Sequence, residues 1–142
     1  MMRFGLAVLA YFAPTFALGF VWHLVLFEQY YQSLQIYRAD IIIPFGFLAI
    51  LIQGGIFAWI YGKAFASSPA TLASRAVSYG LLGAVLSWSF TTLAVAAKNI
   101  MSSVPGYLLI ETAFTLVQWV MVAPLTVLAF SRWPKVSRVA PV

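Results

Sequence analysis

The sequence contains no cysteine, one histidine and three acidic residues among 142 positions. The missing thiols exclude disulfides, iron–sulfur clusters, thiolate metal sites, thiol nucleophiles and quinone-linked disulfide chemistry. A single histidine with Glu28, Asp40 and Glu111 is too small a set for a metal site built by this chain alone, and no cofactor is expected. Charge of either sign is scarce. Charged residues make up 8% of the chain, where a soluble domain carries about a quarter. The net charge of +5 comes from scattered lysines and arginines rather than a dense basic run, so nucleic acid is not an expected partner.

Apolar residues fill the space that charge leaves. They account for 63% of the chain, and the mean hydropathy is +0.97. A domain of this length cannot hide so much apolar surface from water, so lipid must solvate much of it. Four apolar runs stand out: Phe4–Phe27, Ile41–Gly62, Ala76–Ala97 and Tyr107–Phe130, each of 22 to 24 residues. That length crosses a hydrocarbon core of about 30 Å as a helix with some tilt. Barrel strands would be shorter and would alternate polar with apolar. The expected fold is all-α: one polytopic transmembrane domain over residues 1–142, arranged as a four-transmembrane-helix bundle.

The basic residues orient the bundle. Arg3 precedes the first run, Lys63 and Arg75 lie between the second and third, and Arg132, Lys135 and Arg138 follow the fourth. Arg38 and Lys98 fall on the other side, together with Glu28 and Asp40. The positive-inside rule then places both termini in the cytoplasm. The opening Met-Met-Arg and the Ala17-Leu18-Gly19 segment have some marks of a signal peptide. The apolar run continues without a break through FVWHLVLF, however, so an uncleaved first span is expected.

Local signals mark the ends. Ser67-Ser68-Pro69 has the pattern of an N-cap followed by proline at the first helical position, which would start the third helix before its apolar part. Pro134 is expected to stop the fourth helix. Pro14 and Pro124 lie inside spans, where each frees a carbonyl, of Ala10 and Val120, and favours a kink. Trp59 and Trp133 suit the cytoplasmic interface, and Trp22, Trp88 and Trp119 fall within spans.

Few polar residues remain, and their spacing is informative. Glu111, Thr115 and Gln118 follow the i, i+4, i+7 rule and share one face of the fourth helix. Lipid offers such a face nothing, so it should turn into the bundle. Gly80, Ala84, Ser87 and Thr91 descend one face of the third helix, with Gly83 and Ser87 a second small pair. Small residues at this interval let helix backbones approach closely, so the third and fourth helices are expected to pack along these stripes. Lys98 ends the same face, and Gln53 with Gly54 and Gly55, and Gly19 with His23, are the expected counterparts on the second and first helices. Glu111 and His23 each lie four residues from the non-cytoplasmic end of their runs, roughly 6 Å below one boundary at about 1.5 Å per residue. No ionisable group is expected in the inner halves of the spans. The carboxylate of Glu111 is open to Lys98, to His23 or to a neighbouring hydroxyl as partner.

The stretch ALGFVWHLVLFEQYYQSL, then LLGAVLSWSFTTLAVAAKN and the acid-bearing ETAFTLVQW, resembles a family of bacterial four-helix inner-membrane proteins filed as a domain of unknown function. The family's usual proline soon after the first tryptophan is absent here. The resemblance implies the fold and a bacterial inner-membrane location, multi-pass, and supplies no catalytic residue.

Three functions are weighed. The first is a non-enzymatic accessory or scaffold subunit, or a homo-oligomer of bundles, motivated by the small-residue faces. The alternative is a proton-coupled small-molecule or ion transporter using Glu111, with Gln118, Gln53 and His23 along its path. An intramembrane enzyme ranks third, because no base stands beside Ser87 or Thr91 in the sequence.

Overall fold

A computed structural model describes residues 1–131. Arg132, Trp133, Pro134, Lys135 and Arg138, which entered the orientation and the expected helix stop, lie outside the described residues. The chain forms five helices: α1 (Met2–Leu26), α2 (Glu28–Leu34), α3 (Ile43–Phe65), α4 (Leu72–Ala96) and α5 (Val104–Ser131). Four of them, α1, α3, α4 and α5, are long and apolar enough to cross a membrane. Helix is the economical choice for such runs, since every backbone polar group finds its partner within the segment. No strand occurs among the described residues.

α1 and α5 form the central pair, with α3 packed against α1 and α4 against α5. α3 and α4 touch little along most of their length. They converge only where the last turn of α3 reaches α4 and α5. Close approaches at the two ends fix the antiparallel order. A β-carbon on Gly62 would meet the Phe130 ring, and one on Gly106 would meet the Tyr30 hydroxyl. The bundle is therefore closed at the end carrying the α3–α4 loop and splayed at the end carrying α2.

Aromatic side chains make the core. Tyr11, Phe57, Tyr79 and Trp119 meet at centroid distances of 4.7–5.8 Å, and Tyr61 and Val122 extend the cluster toward the closed end. A smaller cluster of Tyr31, Leu34 and Tyr107 lies under α2. Outside, large apolar side chains such as Phe45, Phe90, Leu109 and Val120 stand exposed, each 70–74% accessible. Such a surface suits lipid and not water.

The stripes on α4 and α5 do meet. Gly83 faces the Trp119 indole with no room for a side chain, Gly80 lies against Ala123, and Trp119 Nε1 donates to Ser87 Oγ at 3.1 Å. Ala84 borders the same groove beside Trp119. Thr91 does not continue the packed face. It is exposed, and Thr92 is buried instead. The cause is a π-helical stretch, Trp88–Leu93, which adds a residue to the turn and rotates everything beyond it. Thr91 still contributes its carbonyl, which accepts from Tyr107 Oη at 3.2 Å.

The start of α4 also corrects the expectation from Ser67-Ser68-Pro69. The helix begins at Leu72, with Thr71 as N-cap accepting from the Ser74 amide at 3.2 Å. Ser68 instead accepts from the Ala70 amide at 3.3 Å, closing a local turn two residues long. Thr71→Ala is expected to cost about 1 kcal/mol, the usual worth of a lost cap, and Ser68→Ala much less. Thermal unfolding in detergent compares the two, and equal losses would contradict the assignment of the cap.

Candidate functional site

α1 turns one polar face toward α5. Tyr11, Thr15, Gly19 and His23 recur at intervals of four and line up along that face. Opposite them on α5 stand Glu111, Thr115 and Gln118, all buried. Two polar knots join these ladders. In the deeper one, Gln118 Nε2 donates to Thr15 Oγ1 at 3.2 Å and to the Tyr11 oxygen at 3.3 Å, while Tyr11 donates to Gln53 Oε1 at 3.1 Å. Helices α1, α3 and α5 are thus tied together in their interior by a glutamine, a phenol and a second glutamine.

The shallower knot centres on Glu111, whose residue is only 8% exposed. Tyr31 Oη donates to Glu111 Oε1 at 2.7 Å, and His23 Nε2 lies 3.2 Å from the same oxygen. His23 Nδ1 sits 2.9 Å from the Gly19 carbonyl. A carbonyl can only accept, so Nδ1 must carry a proton. Nε2 then has two options: it is protonated too and pairs as imidazolium with a carboxylate, or it is bare and accepts from a protonated Glu111. A bare nitrogen against a bare carboxylate would set two acceptors face to face. One proton therefore lies between His23 and Glu111 whichever of them holds it. Lys98, the other expected partner, stands exposed after α4 and makes no ion pair with Glu111 among the described residues.

The second oxygen, Oε2, has no hydrogen-bond partner among the described residues, both donors being spent on Oε1. Glu111 lines a cavity of about 440 Å³ in the splay between α3 and α4, and Oε2 is the atom left for a guest. The cavity walls are mainly apolar, with Phe16, Phe47, Ile50 and Phe114 among them, and Thr115, Gln118 and Gln53 supply polar points below Glu111. A second, more polar cavity of about 510 Å³ opens beside α2, bordered by Glu28, Gln32, Gln35 and Arg38. His23 belongs to both. Its ring is held between Phe114 and Tyr31, with centroids 4.6 and 4.7 Å away.

Tyr31 and Tyr37, whose rings stack 5.2 Å apart, close the α2 side of the site. Burial, and next the negative charge of Glu111, pushes both phenols well above the ordinary tyrosine range. Both remain protonated at any physiological pH, which keeps Tyr31 a donor to Glu111.

The expectation of an apolar inner half is corrected by tyrosines. Toward the closed end, the buried hydroxyls of Tyr79 and Tyr61 follow that of Tyr11, within electrostatic reach of one another. Tyr79 lies near Thr126 and Tyr61 near the Arg75 guanidinium, all short of hydrogen-bond geometry. Sequence reasoning counted acids, bases and amides and passed over phenols, which hydropathy treats as mild. The signal was available in the Tyr11–Thr15–Gly19–His23 interval. Tyr31 had no comparable signal, because a separate short helix, α2, carries it to Glu111 on α5.

Among the described residues no three His, Asp or Glu side chains gather as a metal site. Comparison with family models, with curated proteins and with solved structures finds no match for this chain.

Proposed function

We propose that this chain is a non-enzymatic, multi-pass protein of a bacterial inner membrane that binds a small molecule in its lateral cavity, coupled to the proton held between His23 and Glu111. A cytoplasmic closed end is supported by Arg3, Lys63 and Arg75 there and by Arg132, Lys135 and Arg138 following Ser131 in the sequence. The splayed end then opens toward the outer leaflet. Four spans, a resemblance to bacterial inner-membrane proteins and the lipid-like exterior support the location.

The observation that carries the functional reading is the position of His23. It borders the polar vestibule on one side and touches the buried carboxyl on the other, so a proton can pass between water and Glu111 without Glu111 leaving the apolar wall. Below it, Thr115, Gln118, Thr15, Tyr11 and Gln53 extend the polar column inward, and Tyr79 and Tyr61 carry hydroxyls on toward the cytoplasmic end. A proton-coupled carrier needs polarity beyond the midplane, and these residues provide it. The scaffold reading loses part of its motive, because Gly83 and Ser87 are already spent on Trp119 within one chain.

A hydrophobic carbodiimide, which enters through lipid and reacts with protonated carboxyls, tests this. One adduct at Glu111 is expected by mass spectrometry, absent from Glu111→Gln, while a water-soluble carbodiimide modifies only Glu28 and Asp40. Labelling confined to Glu28 and Asp40 with both reagents would rule the proposal out.

A further inference from the structure

We infer that the guest of the lateral cavity is a lipophilic cation of about the size of a few aromatic rings, taken from the outer leaflet in exchange for the proton of the His23–Glu111 pair. This rests on the proposed function above and names its substrate class.

Oε2 sets the sign of the guest's charge. Glu111 is buried, and its free oxygen can only accept or face a positive charge once the carboxyl is ionised. The titratable groups around it are His23, Tyr31, Tyr37 and Tyr107, of which Tyr31 donates to it and Tyr107 donates to the Thr91 carbonyl. Arg38, the remaining charged residue on the cavity, stands at the mouth with its Nε 3.3 Å from Asp40 Oδ1, and both side chains are largely exposed. Its charge is therefore screened by water and by its partner. An anion entering the cavity would meet an acid at its end. A neutral guest would leave the pair's proton in place.

The wall argument agrees. Phe16, Phe20, Phe47 and Phe114 present rings to the space, with Tyr37 at the mouth. Rings of this kind attract a desolvated cation through their faces, and they exclude small hydrated ions, which would forfeit their water to no ligand set. The space is lined by α3 and, through Ser87 and Thr91, by α4, two helices with little mutual contact, and a gap between them would admit guests already dissolved in lipid.

The exchange balances in charge. With one proton between His23 and Glu111 the pair is neutral overall. When the proton leaves by way of His23 into the vestibule, a carboxylate and a neutral imidazole remain with net charge −1. A monovalent cation at Oε2 restores neutrality, so the buried site never holds an uncompensated charge. Cation and proton compete for one place, and linkage requires the apparent affinity to rise about tenfold per pH unit while a full proton is exchanged.

Tetraphenylphosphonium is a suitable probe, with tetraphenylborate as an anion of the same shape. Added to purified protein in weakly buffered detergent, the cation should bind saturably, release up to one proton per site and protect Glu111 from the hydrophobic carbodiimide. Glu111→Gln should weaken binding at least tenfold and abolish proton release, and the borate should do neither. Carbodiimide labelling of Glu111 without cation binding, or equal binding of both ions, would overturn the substrate class and leave the proton site standing. Absence of both labelling and proton release would remove the two together. Cation binding that persists in Glu111→Gln would also overturn the inference.

Discussion

Trp119→Ala is expected to destabilise the bundle by about 3 kcal/mol, the low end for truncating a large aromatic side chain in a core. The indole is 3% exposed and fills the junction of three elements, against Tyr11, Phe57 and Tyr79, with its N–H on Ser87 Oγ. In a soluble protein much of the loss would come from returning apolar surface to water. In the proposed membrane setting lipid competes for that surface, so the cost lies in lost dispersion contacts and the void left behind, with the hydrogen bond adding about half a kcal/mol. The low end of the range follows.

Gly83 supplies the complementary test. Its α-carbon abuts the indole so closely that even a methyl group has no space. The ring cannot retreat, being packed on its other sides. Gly83→Ala should therefore cost about 1–3 kcal/mol as overpacking, whereas Gly55→Ala, with nothing near its would-be β-carbon, should stay within about 0.5 kcal/mol. In the double variant Gly83→Ala/Trp119→Ala the methyl enters the vacated space, and the two losses should fall short of additivity by more than about 0.5 kcal/mol. Unfolding in graded denaturing detergent measures the cycle. Strict additivity would mean the two residues do not share the contact described.

Glu111→Leu is the second large effect, on the order of 3 kcal/mol of destabilisation. Leucine fits the volume but strands the Tyr31 hydroxyl and His23 Nε2, both deprived of the one oxygen they share. Glu111→Gln should be far milder, within about 1 kcal/mol. With its amide nitrogen turned to the place of Oε1, glutamine donates one hydrogen to bare His23 Nε2 and the other to the Tyr31 oxygen. Histidine and phenol each keep a hydrogen bond, only the Tyr31 hydroxyl hydrogen loses its acceptor, and no exchangeable proton remains. The contrast between Leu and Gln separates what Glu111 does for the fold from what it does for the cavity, and comparable losses in thermal unfolding would contradict it.

The number of long apolar helices was legible in the sequence because hydropathy over some twenty residues is a strong signal, and four helices long and apolar enough to cross a membrane are present among the described residues. The α4–α5 contact was legible through Gly80, Gly83 and Ser87, since small residues at fixed intervals have one efficient use in lipid. What escaped was anything set by a local change of helical pitch. The π-helical turns Trp22–Leu26, Tyr61–Phe65 and Trp88–Leu93 rotate the faces beyond them, so Thr92 displaces Thr91 from the interior. The i, i+4 rule assumes an unbroken helix and cannot anticipate this. His23 and Glu111 shared a depth in the sequence, which made them candidates to meet. Choosing His23 over Lys98 required the crossing of α1 and α5, a property of packing rather than of either helix. Tyr31 required still more, because it reaches Glu111 from a separate short helix.

The central claim is that one proton sits between His23 Nε2 and Glu111 while Nδ1 keeps its own. His23 is the chain's sole histidine, so nitrogen NMR of 15N-histidine-labelled protein in nanodiscs gives two ring signals without assignment. A protonated Nδ1 is expected in both wild type and Glu111→Gln, with Nε2 a bare, accepting nitrogen in the variant. An unprotonated Nδ1 in either protein, or a protonated Nε2 in the variant, would contradict it.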